Sequence, residues 1–283
     1  MAARTGTLYL VGTPIGNLGD LSDRARQMLA SVDVVACEDT RRTGRLLSSF
    51  GIQAPRLVSF FEANERERGP ELIRALRQGS DVAVVSDAGM PALSDPGYRL
   101  VAACVEQDIA VDVVPGPSAA VAALVVSGLP TDRFVFEGFL PRSGRARAER
   151  LGALEHESRT IVLFESPRRV AATLADLAAA LGDRRAAVAR ELTKLHQEIL
   201  RGTLESMAQE LAGRDVKGEI VIVVDGTGER RRSGDAGEAV RLASAYVGEG
   251  ARKREAARRA AAETGVPAAR IYQALVRGPG VSR

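Results

Sequence analysis

Tryptophan is absent from this chain of 283 residues, and cysteine and histidine occur only twice each. Cys37 and Cys104 make no CxxC spacing, and His156 and His196 are the only imidazoles beside them. That scarcity argues against a zinc centre and against a Cys/His nucleophile pair. No apolar run approaches the length of a membrane span, and the first residues, MAARTGTLYLVGTP, lack the apolar core of a signal peptide. A soluble cytoplasmic protein with no membrane contact and no metal is therefore expected. Neither GxGxxG nor GxxxxGK[ST] occurs, so the usual loops for a dinucleotide or a nucleoside triphosphate are missing as well.

What is present is a 45% hydrophobic composition, enough in a chain of this length for about two domains. The net charge of +3 conceals a division. From Thr227 onward there are twelve Lys/Arg against six Asp/Glu, which leaves 27 against 30 in the residues before it. A basic appendage on a slightly acidic body suits an anionic partner, nucleic acid being the commonest, although a solvated helix face gives the same count.

Apolar runs of strand length at residues 8–11, 32–37, 56–61, 81–86 and 110–114 alternate with helical patterns at 23–30, 65–78 and 97–107. Such alternation implies an α/β layer with a largely parallel sheet. After Pro115, Gly116 and Pro117 comes a small apolar helix at 118–127. A second block follows, with strands at 134–139, 160–165, 186–191 and 219–224 and helices at 146–156, 168–181 and 204–211. Residues 228–235, GERRRSGD, read as a polar linker without periodicity. Three short helices at 238–248, 252–264 and 267–276 close the chain, the last two joined by a turn at Gly265. They are compatible with a helix-turn-helix-like module or with a helical pair packed on the body or on a second subunit. The expected architecture is therefore two α/β domains, residues 1–117 and 118–226, and a basic helical tail, 227–283.

The segment from Val84 to Gly97, VVSDAGMPALSDPG, is the most specific piece of the chain. An apolar strand runs into a loop of two Asp-containing turns stiffened by Gly89, Pro91, Pro96 and Gly97. In an open α/β sheet the carboxyl end of a strand is where ligands sit. Other strand ends are unusual too: GTPIGNLGD at 12–20, VVPGPSAA at 113–120 and RELTKLHQE at 190–198. The plainer alternative for the last is a helix N-terminus capped by Thr193. Cys104 sits in an apolar helical pattern and is expected in a core, whereas Cys37, beside Glu38 and Asp39, is placed at the border of a pocket.

Taken together, GTPIGNLGDLSDRA, ACEDTRRTGRLL, VSDAGMPALSDPGYRLV, VPGPSAAVAALVVSGLPTDRFVFEGFLPR, LFESPRRV, RELTKLHQEILRG and GEIVIVV resemble the ribosomal RNA small subunit methyltransferase I family of the tetrapyrrole-methylase superfamily. The resemblance spans about residues 5 to 225 in consistent order, and the basic tail is similar to the family's C-terminal extension. It implies two α/β domains of the tetrapyrrole-methylase type with the cofactor cleft between them, plus a small helical extension. It further implies a homodimer that uses S-adenosyl-L-methionine to methylate the ribose 2′-oxygen of a cytidine in the decoding region of 16S rRNA, within the small ribosomal subunit. By motif match, the cofactor residues from the first domain are Pro14, Ser86, Asp87, Ala88, Gly89, Met90, Ser118 and Ala119. Phe164, Glu165, Leu192, Thr193, Glu219 and Ile220 would close the site from the second.

A sulfonium methyl is already activated, so the protein must place an oxygen nucleophile in line and exclude water. A ribose hydroxyl is a weak nucleophile and its proton must be taken up. Candidate bases are Glu38 and Glu62, with Asp39 and Asp20 behind them. Arg41 and Arg42 would hold the phosphate next to the reacting ribose, and Arg252, Lys253 and Arg254 of the tail would grip backbone phosphate elsewhere. The plainer alternatives are that Glu38 or Asp39 caps the following helix and that either arginine forms a surface ion pair. Family members often carry His where this chain has Ala63, so no role transfers to that side chain. Two other functions remain open: methylation of a tetrapyrrole or other small metabolite, and a non-catalytic nucleic-acid-binding regulator.

Overall fold

The computed structural model describes residues 5–53, 55–227, 236–264 and 266–277; the linker read at 228–235 and the turn read at Gly265 lie outside the described residues. The first part of the chain folds as β1 (Leu8–Val11), α1 (Asp23–Ser31), β2 (Val34–Cys37), α2 (Thr40–Ser49), β3 (Arg56–Ser59), α3 (Glu65–Arg77), β4 (Val82–Val85), α4 (Tyr98–Glu106) and β5 (Val111–Val114). The five strands form one sheet in the order β3-β2-β4-β1-β5, every pair parallel. Strands buried on both faces read as continuous apolar runs, and VVAC in β2 and VAVV in β4 are buried at every position. On one face Leu8, Val34, Val58 and Val82 pack under α3 and α4; on the other Val35, Cys37, Ala83 and Val85 pack under α1 and α2.

β1 and β4 are neighbours at the centre, and the chain leaves them toward opposite edges of the sheet. Their carboxyl ends therefore meet at a topological switch point, the favoured place for a ligand crevice. There the loop after β1 and the loop after β4 are joined by a two-way backbone bridge: Thr13 N–H donates to Gly89 O at 2.9 Å, and Gly89 N–H to Thr13 O at 3.2 Å. Gly89 has φ +86°, a conformation that excludes most side chains. On the other side of the β1 loop, a Cβ on Gly12 would stand 2.6 Å from the Gly116 backbone, and one on Gly116 would stand 2.8 Å from Gly12. Only glycine at both positions allows the β1 and β5 loops to touch.

The helix α5 (Ala119–Ser127) starts with Ser118 as N-cap and leads to a second sheet. Its elements are β6 (Phe134–Phe139), α6 (Gly144–Leu154), β7 (Thr160–Glu165), α7 (Val170–Leu181), β8 (Arg185–Arg190), β9 (Glu198–Thr203), α8 (Leu204–Leu211) and β10 (Ile220–Val224). The order is β6-β7-β10-β8-β9, antiparallel except for the β6–β7 pair. Side chains alternate across such a sheet. Ile161, Leu163, Val188, Ile220, Ile222 and Val224 turn to the core under α6, α7 and α8. Val162, Ala189, Val221 and Val223 turn to the opposite face, covered by α5 and by Ile15 of the β1 loop.

β9 is absent from the sequence reading, and the helix start considered at Thr193 is a turn instead: Glu191 and Thr193 have φ of +51° and +67°, and the chain re-enters the sheet at Glu198. The tail folds as α9 (Ala236–Gly248), α10 (Lys253–Thr264) and α11 (Ala268–Arg277). They share a small core of Ala239, Ala243, Ala256, Ala257, Ala260, Val266 and Ile271. No helix among the described residues is long and apolar enough to cross a membrane.

Candidate active site

A cavity of about 290 Å³ opens at the switch point. The first sheet contributes Thr13, Pro14, Ile15 and Gly16 from the β1 loop, Ser86, Asp87 and Ala88 from the β4 loop, and Arg42, Thr43 and Leu46 from α2. Lys194 and Glu219 close it from the second sheet. A shallower hollow on the other side of Ile15 is lined by Asp20, Pro115, Gly116, Pro117, Ser118, Ala122 and Thr193. The two halves are clasped where Asn17 N–H donates to Thr193 Oγ1 at 3.1 Å. A Cβ at Gly16 would run into the Lys194 side chain, so glycine is what lets the turn approach.

Backbone strain collects in the same place. Five non-glycine residues among those described have positive φ, and four of them, Ala92, Ser94, Glu191 and Thr193, lie in the β4 loop and the β8–β9 turn. Each such conformation costs on the order of 1–3 kcal/mol and persists only where its surroundings enforce it. Two loops of this kind at one cleft fit a preformed ligand site better than ordinary connectors.

The electrostatics are dominated by carboxylates. Asp87 Oδ2 accepts from Arg42 Nη1 at 2.9 Å, while its Oδ1 is buried without a hydrogen-bond partner. A buried acceptor left unmatched is costly, and this one borders the cavity. Glu38 Oε1 accepts from Asp87 N–H at 3.3 Å. Burial, opposed by that bond, raises the Glu38 pKa above the usual carboxylate value. Asp95, the second acid of the β4 loop, is pushed up to about 7 by burial first and then by the charges of Glu38 and Asp87, with the Ser86 hydroxyl opposing. A group titrating near neutrality beside a cleft is suited to proton transfer. Asp95 was missed as a site residue by sequence reasoning. The signal was nonetheless there, as the second Asp turn of VVSDAGMPALSDPG.

Other expected residues are placed as follows. Asp39, not Glu38, is the N-cap of α2, accepting from Arg41 N–H at 2.8 Å and from Arg42 N–H at 3.4 Å; Glu38 does not line the cavity and reaches it only through its bond to the Asp87 N–H. The Arg41 side chain is exposed. Gly89 is held in the backbone bridge, and Met90 lies beneath the loops, its sulfur accepting from Gly116 N–H at 3.3 Å. Ala119 and Phe164 are half-buried against the face of the second sheet that carries Ile15, and Leu192 is buried there. Phe164 also packs edge-on to Phe136 at 4.9 Å.

Four side chains lie away from the cavity. Glu165 and Ile220 fall on the far face of the second sheet, because side chains alternate along β7 and β10. Glu165 is buried, accepting from Thr173 Oγ1 at 2.7 Å and pairing with Arg169 at 3.3 Å, and Ile220 belongs to the α7–α8 core. Glu62 is exposed in the turn before α3 and does not line the cavity. Cys37 is fully buried under α1 and α2 rather than bordering a pocket, and desolvation raises its thiol pKa.

In the tail, Arg252, Lys253 and Arg254 are exposed at the start of α10. Lys253 Nζ donates to Leu275 O at 3.1 Å and Arg254 lies 5.8 Å from the centre of the Tyr272 ring. No group of three or more Cys, His, Asp or Glu able to hold a metal occurs among the described residues.

Several solved methyltransferase structures share this fold. Cobalt precorrin-4 methyltransferase superposes with TM-score 0.58 at 19% identity, covering 77% of this chain and 94% of that one. Uroporphyrin-III C-methyltransferase from Thermus thermophilus, solved with S-adenosyl homocysteine, gives 0.54 at 20% identity, covering 78% and 97%. The family model for tetrapyrrole (corrin/porphyrin) methylases matches residues 7–208, which defines the class. Proteins named ribosomal RNA small subunit methyltransferase I are far more similar in sequence. The one from Micromonospora olivasterospora is 48% identical over 96% of this chain and 87% of its own length. The one from Thermotoga maritima is 49% identical over 78% of this chain and 99% of its own. The chain therefore belongs to the ribosomal RNA small subunit methyltransferase I family of the tetrapyrrole methylases.

Proposed function

We propose that this protein is an S-adenosyl-L-methionine-dependent methyltransferase that methylates the ribose 2′-oxygen of a cytidine in the decoding region of 16S rRNA, acting in the cytoplasm on the small ribosomal subunit. The observation that carries the reading is the near-half identity to rRNA methyltransferases along 96% of the chain, a span that includes the basic tail.

The cavity suits the cofactor. The unpartnered Asp87 Oδ1 offers an acceptor to a hydroxyl or ammonium group, Lys194 and Glu219 form a charged rim joined at 3.1 Å, and Pro14, Ile15, Leu18 and Leu46 give apolar contact. The sulfonium of S-adenosylmethionine supplies a methyl group that needs no further activation. The chain's own task is then to orient, to exclude water and to take up one proton. We assign proton acceptance to Glu38 with Asp95 as its coupled neighbour. Arg42 holds Asp87 and presents a guanidinium, 66% exposed, toward an incoming phosphate. The site divides among two domains, 1–117 and 118–226, with the tail from 227 carrying further phosphate contacts through Arg252, Lys253 and Arg254. A homodimer is part of the reading, with the exposed Val121 and Val125 of α5 as its first candidate surface.

The test is transfer of a tritiated methyl group from the cofactor to small ribosomal subunits, compared with porphyrinoid acceptors. Label in rRNA at an alkali-resistant linkage is the expected outcome. Label in a porphyrinoid alone would move the reading to small-metabolite methylation, and no cofactor binding at all would favour a non-catalytic regulator.

A further inference from the structure

A groove of about 410 Å³ lies between α3 and α4, outside the cleft, lined by Glu65, Arg66, Gly69, Pro70, Ile73, Arg74, Arg99, Leu100, Ala103 and Gln107. Three arginines and one carboxylate give it a positive balance on a body that is otherwise slightly acidic. The carboxylate is already engaged: Glu65 is buried and accepts from Gly97 N–H at 3.0 Å, with Arg99 only at 3.9 Å. Arg66 and Arg74 make no ion pair among the described residues. The other acid nearby, Glu71, takes Arg68 at 2.8 Å and Arg56 at 2.6 Å, and neither it nor Glu67 or Glu106 lines the groove. Exposed cations without partners beside paired ones mark a surface suited to an external anion.

The shape suits a chain of anions. Arg66 and Arg74 are eight residues apart on one helix, about 12 Å along its axis, so the charges form a track and not a point. The floor is apolar at Ile73, Leu100 and Ala103, and a Cβ on Gly69 would meet nothing within 4 Å. At the mouth the Glu65–Gly97 bond fixes the start of α3 against the end of the β4 loop. Two exposed aromatics flank that point, Phe61 just before α3 and Tyr98 at the first residue of α4, the latter 74% exposed. Aromatic faces beside a basic groove are the means by which proteins hold single-stranded nucleic acid.

We propose that the α3–α4 groove binds the RNA sugar-phosphate backbone flanking the target nucleotide, with Arg66, Arg74 and Arg99 on phosphates and Phe61 and Tyr98 against bases. The proposal rests on the rRNA reading given above. It assigns part of the RNA grip to the body, independently of the tail.

The experiment titrates purified small ribosomal subunits with full-length wild type and with Arg66→Gln/Arg74→Gln/Arg99→Gln at several salt concentrations, with calorimetry of S-adenosylmethionine as the control for folding. The expected result is subunit affinity lower by about 30-fold or more and a log K against log salt slope shallower by about 2 to 3, one unit or slightly less per phosphate contact. Cofactor affinity and turnover at saturating subunit stay within about twofold, since phosphate contacts position the substrate without doing chemistry. Wild-type binding with unchanged affinity and slope in the variant overturns the groove and leaves the rRNA reading intact. Wild type that fails to bind subunits overturns the rRNA reading and the groove with it. If the triple variant loses cofactor affinity, Arg74→Gln alone decides, because Arg74 is two turns from the β4 loop: a slope shallower by about 1 supports the groove, and an unchanged slope overturns it.

Discussion

In the first sheet, the residues that border the cavity come after the strands end: Thr13 and Pro14 beyond β1, Ser86, Asp87 and Ala88 beyond β4. In the second sheet the lining comes from the β8–β9 turn, Thr193 and Lys194, and from Glu219 just before β10, while Val162, Phe164 and Val221 on one strand face cluster with Ile15 behind it. The difference follows from strand direction. Parallel strands all deliver their carboxyl ends to one edge, so position along the chain is enough to find the site. Strands of mixed direction present a face, and a shift of one residue changes which side a group is on. The side chains of Glu165 and Ile220 face the α7–α8 core, next to Phe164 and Val221, whose side chains face Ile15.

The contrast is sharpest for two buried or half-buried glutamates. Glu38→Gln should keep cofactor affinity while lowering turnover by about 10²- to 10⁴-fold, the usual range for loss of a general base; single-turnover methylation of small subunits measures it, and a turnover within threefold of wild type would remove Glu38 from the mechanism. Glu165→Ala should do the reverse. It leaves Arg169 and Thr173 without their partner in the interior, a change expected to cost about 3 kcal/mol in urea unfolding while cofactor affinity in the surviving folded protein holds. A selective loss of cofactor affinity would put Glu165 back in the cleft.

Asp95 should reveal itself by pH. With a folded pKa near 7 against an ordinary 3.8, the folded state keeps a proton that the unfolded chain has released over the interval between. Stability from this group is therefore full below about pH 4 and is lost as pH rises through about 7. Asp95→Asn should flatten that decline, by on the order of 2 kcal/mol at pH 8 after allowance for solvent screening, as read by denaturant midpoints across the range. Parallel curves for variant and wild type would refute the shift. The smallest effect belongs to Ile220→Val, about 1 kcal/mol of stability with no change in cofactor binding, because its side chain fills the α7–α8 core.

Much of the fold was legible from apolar periodicity, as a near-continuous buried run in β7 and as helical spacing in α8: β1, β6, β7 and α8 have the ends that the sequence pattern predicts. α2 was legible only through its cap. TRRTGRLLSS carries just two large apolar residues, and Asp39 was the clearer signal. β9 was lost because EILRGT is an edge strand with a charge at each end of its apolar pair, and Thr193 looks like a helix cap until its φ is known. Within the site, loop chemistry pointed to Asp87, whereas the environment of Asp95 needed the third dimension, since it comes first from burial and then from the charges of Glu38, 57 residues earlier in the chain, and Asp87.

The contact between Gly12 and Gly116 has a consequence for how this sequence can vary. A methyl group added to either residue collides with the backbone of the other, so neither position can be relieved by changing its partner's side chain, because the partner has none to give up. In mutational terms the two glycines behave as one locus with no compensating second-site change between them. Alanine at either one is expected to be rescued only by rearrangements that separate the β1 and β5 loops.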